Sequence, residues 1–178
     1  MITYKDLDPV SLYADIPIEA RAWRNNYEIR KWCRQHTLIT QEQHDSWHHT
    51  IQEHPSIKMF GVVAKGEYVG VAGLTSICEV NRNAEFSLYI VPKQQKKGYG
   101  KKALIALLRH GFDNFNLNRI WGETFAHNPA HTMFLELGLK DEGTFRQSYF
   151  REGKYINSHI VAVLREEFKH QAKRLQSV

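Results

Sequence analysis

The chain has 178 residues, 42% of them hydrophobic and 12% aromatic, which is one domain's length with enough apolar side chains for a core. It has no apolar run of membrane-spanning length, no long low-complexity or like-charge block, and no charged-then-apolar leader in its first ten residues, so a soluble cytoplasmic protein is expected. The net charge of +5 and pI near 9.2 favour anionic ligands, but the basic residues are scattered except between Lys93 and Lys102, which points away from nucleic acid.

Residues 1–8 predict a short first strand. Residues 18–33 predict helix, with Pro17 suited to its first turn. Ile18, Ala22, Ile29 and Cys33 would face the core with Trp23 and Trp32 beside them, and the polar run Arg24, Asn25, Asn26 marks a bend. Thr40, with Gln43 three residues on, has capping-box spacing for a helix that runs to Glu53 and stops before Pro55. Residues 57–64 and 68–77 read as a hairpin around Lys65, Gly66 and Glu67, followed by a turn at residues 81–83 and a strand over 84–91. A helix after Gly98 reaches about Phe115, with Leu104, Leu107, Leu108 and Gly111 on one stripe. Next come a strand over 119–125, a short helix from Asn128 or Pro129 to Leu137, and a hairpin of residues 139–150 and 155–164. Gly138 is the expected residue just past the short helix, and residues 166–178 form a charged tail helix. The order β-α-α-β-β-β-α-β-α-β-β is that of an α/β sheet of mixed direction in a single domain, 1–178.

Cys33 and Cys78 show no metal spacing and read as free thiols of a reducing compartment. The pairs His44/His48 and His127/His131 have i, i+4 spacing but no third ligand in sequence. Asp45 stands where the peptidase motif has glutamate, and Pro129 interrupts the second pair, so no metal is expected.

The densest signal is the strand–loop–helix over residues 87–109. Such a junction presents the unpaired N–H groups and positive dipole end of a helix to an anion. Gly98 and Gly100 remove side chains that would hold a phosphate off, while Lys96, Lys97, Lys101 and Lys102 add charge. The glycine spacing is wrong for a Walker A loop. Ala103 stands at the third glycine of a dinucleotide fingerprint, a position that tolerates alanine, so that pattern stays weakly open. Gln95-x-x-Gly98-x-Gly100 fits a third pattern better: it resembles the signature of the GNAT superfamily of N-acetyltransferases. The element order is similar to that family's over nearly the whole chain, as is the Leu-Gly-Leu ending of the short helix, where the family usually has Leu-Gly-Phe. Residues 142–164 resemble the close of the subgroup that contains ribosomal-protein N-terminal acetyltransferases and enzymes acting on nucleotide-linked 4-amino sugars. Trp23-Arg24-Asn25, residues 29–32 and residues 81–85 look like the pseudaminic acid pathway enzymes of that subgroup, which act on a UDP-linked 4-amino-4,6-dideoxy sugar.

The resemblance implies a twisted, mostly antiparallel sheet of about seven strands with splayed central strands, and direct transfer of acetyl from acetyl-CoA to an amine. The backbone of Gln95, Lys96, Lys97, Gly98, Tyr99, Gly100 and Lys101 would take the pyrophosphate, and Leu88 and Ile90 would pair with the pantetheine arm. Gln95 is neutral where the family often has arginine. Only a free amine attacks a thioester, so a base is needed; Glu123 matches the family position for it, and Glu85 is the second candidate. On other readings Glu85 pairs with Arg82 or Arg119, and Glu123 is a solvated strand residue. Asn128 matches a contact to the cofactor arm or is a helix N-cap. Phe134 falls where the family places a cofactor-side tyrosine acid, and it carries no proton; water, Tyr149 or Ser76 would have to substitute. Trp23, Arg24, Asn25, Arg30 and Trp32 would line the acceptor side under the amino-sugar reading, or else the tryptophans are core. The implied partners are acetyl-CoA and a small amine acceptor, with a possible homodimer across an exposed strand edge.

Overall fold

The computed structural model describes residues 10–176, with side chains described through residue 170. Its elements are β1 (Val10–Tyr13), α1 (Ala20–Asn25), α2 (Tyr27–Arg30), α3 (Gln41–Glu53), β2 (Lys58–Ala64), β3 (Glu67–Cys78), β4 (Asn83–Ile90), α4 (Tyr99–Asp113), β5 (Arg119–Phe125), α5 (Ala130–Glu136), β6 (Lys140–Arg151), β7 (Lys154–Leu164) and α6 (Arg165–Gln176). The strand expected over residues 1–8 lies outside the described residues, except that described strand begins at Val10. The helix expected over 18–33 is two short helices. Asn26 leaves helical geometry at ψ 132° and its side chain accepts from the Glu28 N–H, capping the second piece, so the polar interruption breaks the helix outright. Helix ends at Arg30, and Trp32 and Cys33 fall in the loop beyond it. Ile18 and Ala22 are exposed, so that part of the expected stripe does not face the core. The capping box at Thr40 and Gln43 is present in both directions.

The seven strands form one sheet in the order β1-β2-β3-β4-β5-β7-β6. Every neighbouring pair is antiparallel except β4 and β5, which α4 connects as a parallel crossover. Leu104, Leu107, Leu108 and Phe112 of α4 bury one stripe against Leu74, Ile120, Val161 and Val163. Gly111 lets the helix lie close to β5, since a methyl there would sit 2.6 Å from Ile120 Cδ1. A smaller core of Ile16, Ala20, Ile51 and Val71 lies elsewhere, with Trp23, Trp47 and Tyr89 packed against it.

The feature that positions the site is a short ladder. β4 and β5 pair only at Asn83↔Arg119, Ala84↔Ile120 and Glu85↔Trp121. Beyond that, β4 stays with β3 as far as Ile90↔Gly70, and β5 stays with β7 as far as Phe125↔Ser158, so the two central strands part. Phe86 fills the fork. Its ring lies over Gly122, where a Cβ would meet it at 2.5 Å, and packs edge-on against Phe134 at 5.1 Å. No described helix is long and apolar enough to cross a membrane.

Candidate active site

The parted strands run into the glycine loop. After a 3-10 turn at Pro92–Gln94, Lys96 adopts φ 59° and Gly98 φ 79°, and α4 begins at Tyr99. Nothing lies within 4 Å of a Cβ built on Gly98, so the glycine serves the left-handed turn and not close packing. No side chain caps α4. The Lys102 N–H bonds the Gly98 carbonyl at 3.2 Å, and the N–H groups of Tyr99, Gly100 and Lys101 precede the first helical bond. A 15-residue helix with such an end is an anion seat. Lys96, Lys97 and Lys101 are exposed around it, while the Lys97 ammonium donates to Gln94 and that of Lys102 lies 5.8 Å from the Tyr99 ring. The side chain of Gln95 turns away from the loop and donates to the Ile90 carbonyl at 2.9 Å, so it ties the loop to the end of β4. Gly100 faces Ile90 and Met133, each 3.7 Å from an added Cβ. Leu88 is half-buried and Ile90 buried on the parted stretch of β4.

Phe134 is core, not an open contact in this cleft. Asn128 accepts from the Ala130 N–H at 3.0 Å, the helix-start role named among its alternatives. Ser76 sits exposed in the β3 bulge with φ 51°.

At the mouth of the fork, Glu85 and Glu123 stand on adjacent strands, their side chains 9% and 8% exposed. Because Glu85 pairs with Trp121, Glu123 is two residues further along β5 on the same face. Neither alternative reading of them holds: Arg82 bonds Asn116, Arg119 is forked onto Glu142, and Glu123 is enclosed. Their shared partner is Arg34, from the loop after α2. Its Nη2 lies 2.5 Å from Glu85 Oε1 and its Nη1 3.5 Å from Glu123 Oε2. Glu123 also accepts from Tyr149 at 3.0 Å and from the fully buried Ser158 at 2.5 Å. Burial pushes the Glu85 carboxyl upward and the Arg34 charge pulls it back. Burial, then the bond to Glu123, raises the Tyr149 phenol, which therefore keeps its proton. Burial likewise raises the Cys33 thiol, which donates to the Ile29 carbonyl.

The five expected acceptor residues divide. Trp23 packs into the smaller core. Asn25 bonds both the N–H and the carbonyl of Ile39, Arg24 donates to the Gln35 carbonyl, and Arg30 to that of His36. These three residues hold the loop that carries Arg34. Trp32 reaches across to the His127 ring at 5.1 Å. Arg151 joins the group from β6: it donates to the Arg34 carbonyl and stacks 5.4 Å from Tyr149 and 5.8 Å from Phe125. Arg34, Tyr149, Ser158 and Arg151 complete the site, and of these only Tyr149 was a sequence candidate. The sole signal for Arg34 was its place in the basic run RKWCRQH.

His131 pairs with neither His127 nor a metal motif in sequence. It bonds Asp141 at 3.1 Å and stacks on His159 at 4.3 Å, and His159 bonds Thr144. These residues form a polar network at the α5 end of the β6–β7 hairpin.

A mostly antiparallel sheet whose one parallel pair forks ahead of an uncapped, glycine-preceded helix is the fold of the acetyltransferase (GNAT) family. The chain belongs to the GNAT family: residues 7–138 match the family model described as "Acetyltransferase (GNAT) domain". It is 29% identical to spermidine N(1)-acetyltransferase of Escherichia coli K12 over 119 residues, 66% of this chain and 64% of the relative. It is 26% identical to the Vibrio cholerae enzyme of that name over 111 residues, 62% and 64% of the two chains. Ribosomal-protein-serine acetyltransferase of E. coli matches at 27% over 59% of each chain. The chain thus spans about 64% of the length of the first two relatives. Among solved structures, the V. cholerae spermidine N-acetyltransferase in complex with CoA and spermine shares the fold with TM-score 0.82 at 21% identity, covering 90% of this chain and 98% of that one. These relatives carry polyamine and ribosomal-protein names, and they lend no support to the amino-sugar branch.

Proposed function

We propose that this chain transfers acetyl from acetyl-CoA to a primary amine, and that the amine is carried on an anionic small molecule of the UDP-linked 4-amino-4,6-dideoxy sugar type. The observation that carries the transferase reading is the fork between β4 and β5 opening onto the bare N-terminus of α4, with two enclosed carboxylates at its mouth. The pyrophosphate of CoA sits on the N–H groups of residues 98–101, and the pantetheine arm runs along the unpaired edge of Leu88 and Ile90. Glu123 takes the ammonium proton, directly or through water. The amine nitrogen then bonds the thioester carbon, the C–S bond breaks, and the second proton shed by the nitrogen goes to the departing thiolate, leaving the amide and the free CoA thiol. A β4 N–H polarises the carbonyl as negative charge develops. Tyr149 holds Glu123 in place and is the proton-bearing phenol available where Phe134 has none.

The anionic acceptor is favoured by the arginines at the mouth. Arg34 stands on the carboxylates, Arg151 bonds its carbonyl, and Arg24 and Arg30 brace the same loop; Arg24 Nη1, Arg30 Nε and Arg151 Nε are buried without a hydrogen-bond partner among the described residues. Guanidinium suits a diphosphate, and Trp32 suits a sugar or base face. The names of the relatives favour spermidine as a second reading, for which the carboxylate pair would hold the cation. Thiol release from acetyl-CoA is measured with a UDP-linked 4-amino sugar, spermidine and a peptide N-terminus. Release with the nucleotide sugar alone supports the first reading, release with spermidine alone replaces it with the second, and release with the peptide alone favours N-terminal acetylation. Binding of acetyl-CoA with no turnover on any amine makes the chain a non-catalytic acyl-CoA module.

A further inference from the structure

We infer that Arg34 is a specificity gate: its guanidinium stands in for the acceptor's cation between Glu85 and Glu123, and an amine gains those carboxylates only when an anionic group on the same molecule draws Arg34 away. The inference rests on the transferase reading above and adds to it the residue that selects the acceptor.

Four observations carry it. The Arg34 fork spans both carboxylates, at 2.5 Å and 3.5 Å, and so fills the place a substrate ammonium would take. The carboxylates are enclosed while Arg34 is 51% exposed, so the cation is the partner that can leave. Arg34 sits on a loop, residues 31–39, held by hydrogen bonds from Arg24, Asn25, Arg30 and Arg151 to its backbone, and a loop pinned at the backbone leaves its side chain free to swing. The charged and titratable groups around it are Glu85, Glu123, Tyr149, Arg24, Arg151 and Cys33, so an incoming anion meets three guanidinium groups. A free polycation gains nothing from displacing Arg34, because it exchanges one cation for another against that positive surface. An anion draws the guanidinium outward and uncovers a net negative pair.

The test uses the full chain and its Arg34→Gln and Arg34→Lys variants, titrated calorimetrically with CoA, spermidine and UDP. CoA affinity should be equal in all three. Arg34→Gln should bind spermidine at least about tenfold more tightly than wild type and UDP at least about tenfold more weakly, while Arg34→Lys keeps the wild-type order. Equal spermidine affinity in wild type and Arg34→Gln overturns the gate. Absence of CoA binding to wild type overturns the transferase reading instead, and the spermidine comparison still decides Arg34. A measurement on wild type alone guards against misfolding of the variant: saturating UDP should tighten ethylamine binding, and absent UDP binding or absent coupling overturns the proposal.

Discussion

Glu123 receives a phenol, a buried serine hydroxyl and the outer nitrogen of a guanidinium, three donors that together fix its direction. A base so held should matter most where free amine is scarce. Glu123→Gln is expected to lower kcat about 100-fold near neutral pH, with the loss shrinking as pH approaches the acceptor's own pKa; a pH-rate profile checks this, and an unchanged profile removes Glu123 from the role. Tyr149→Phe should lower kcat by about tenfold with KM for acetyl-CoA unchanged, because it removes one of the donors and leaves the cofactor seat alone. Glu85 carries a pH-dependent stability prediction. Burial raises its folded-state pKa above the unfolded value, so its contribution to stability is full below the unfolded pKa and is lost as pH rises through the folded one. The Tm of wild type relative to Glu85→Gln should therefore fall as pH is raised from 4 to 7, read by thermal melts across that range.

The glycines of the loop before α4 separate fold from function. Gly98 needs φ 79°, so Gly98→Ala costs about 1 kcal/mol in backbone strain and should lower both Tm and CoA affinity. Gly100 has helical geometry and room, an added methyl meeting Ile90 and Met133 at ordinary contact distance. Gly100→Ala should then leave Tm equal or raised, by up to about 1 kcal/mol of stability, while CoA affinity falls because the methyl intrudes on the pyrophosphate. Melting and calorimetry on the same preparation read both effects. Gly122 is the counterpart in the sheet: a side chain there collides with Phe86 and disturbs the wedge that keeps β4 and β5 apart.

Over the whole molecule, the +5 charge and the loop arginines around Arg34 make salt dependence a test of the proposed anionic acceptor. The KM for a nucleotide-linked acceptor should rise steeply with ionic strength, whereas that for an uncharged-tail amine should stay flat; kinetics at about 50 and 300 mM salt distinguish the two. The outer strand β6 is exposed along most of its length, with Phe145, Phe150 and Tyr155 uncovered on its hairpin.

Local pattern was enough to read most of the element order, the capping box at Thr40, the α4 stripe and the glycine turn, because helix period, strand alternation and turn chemistry are written within a few consecutive residues, whereas the two carboxylates were named only through the family resemblance. The split between α1 and α2 at Asn26 was visible as a polar interruption, though not as a full break. What local pattern does not carry is who meets whom. Arg34 lies 51 and 89 residues from its two partners, and Ser158 lies 35 from Glu123. Those meetings depend on the β4–β5 ladder ending after Glu85 and on β6 folding back along β7, so only the tertiary structure decided that the two carboxylates share one guanidinium, that Gln95 serves the strand end, and that Phe134 belongs to the core.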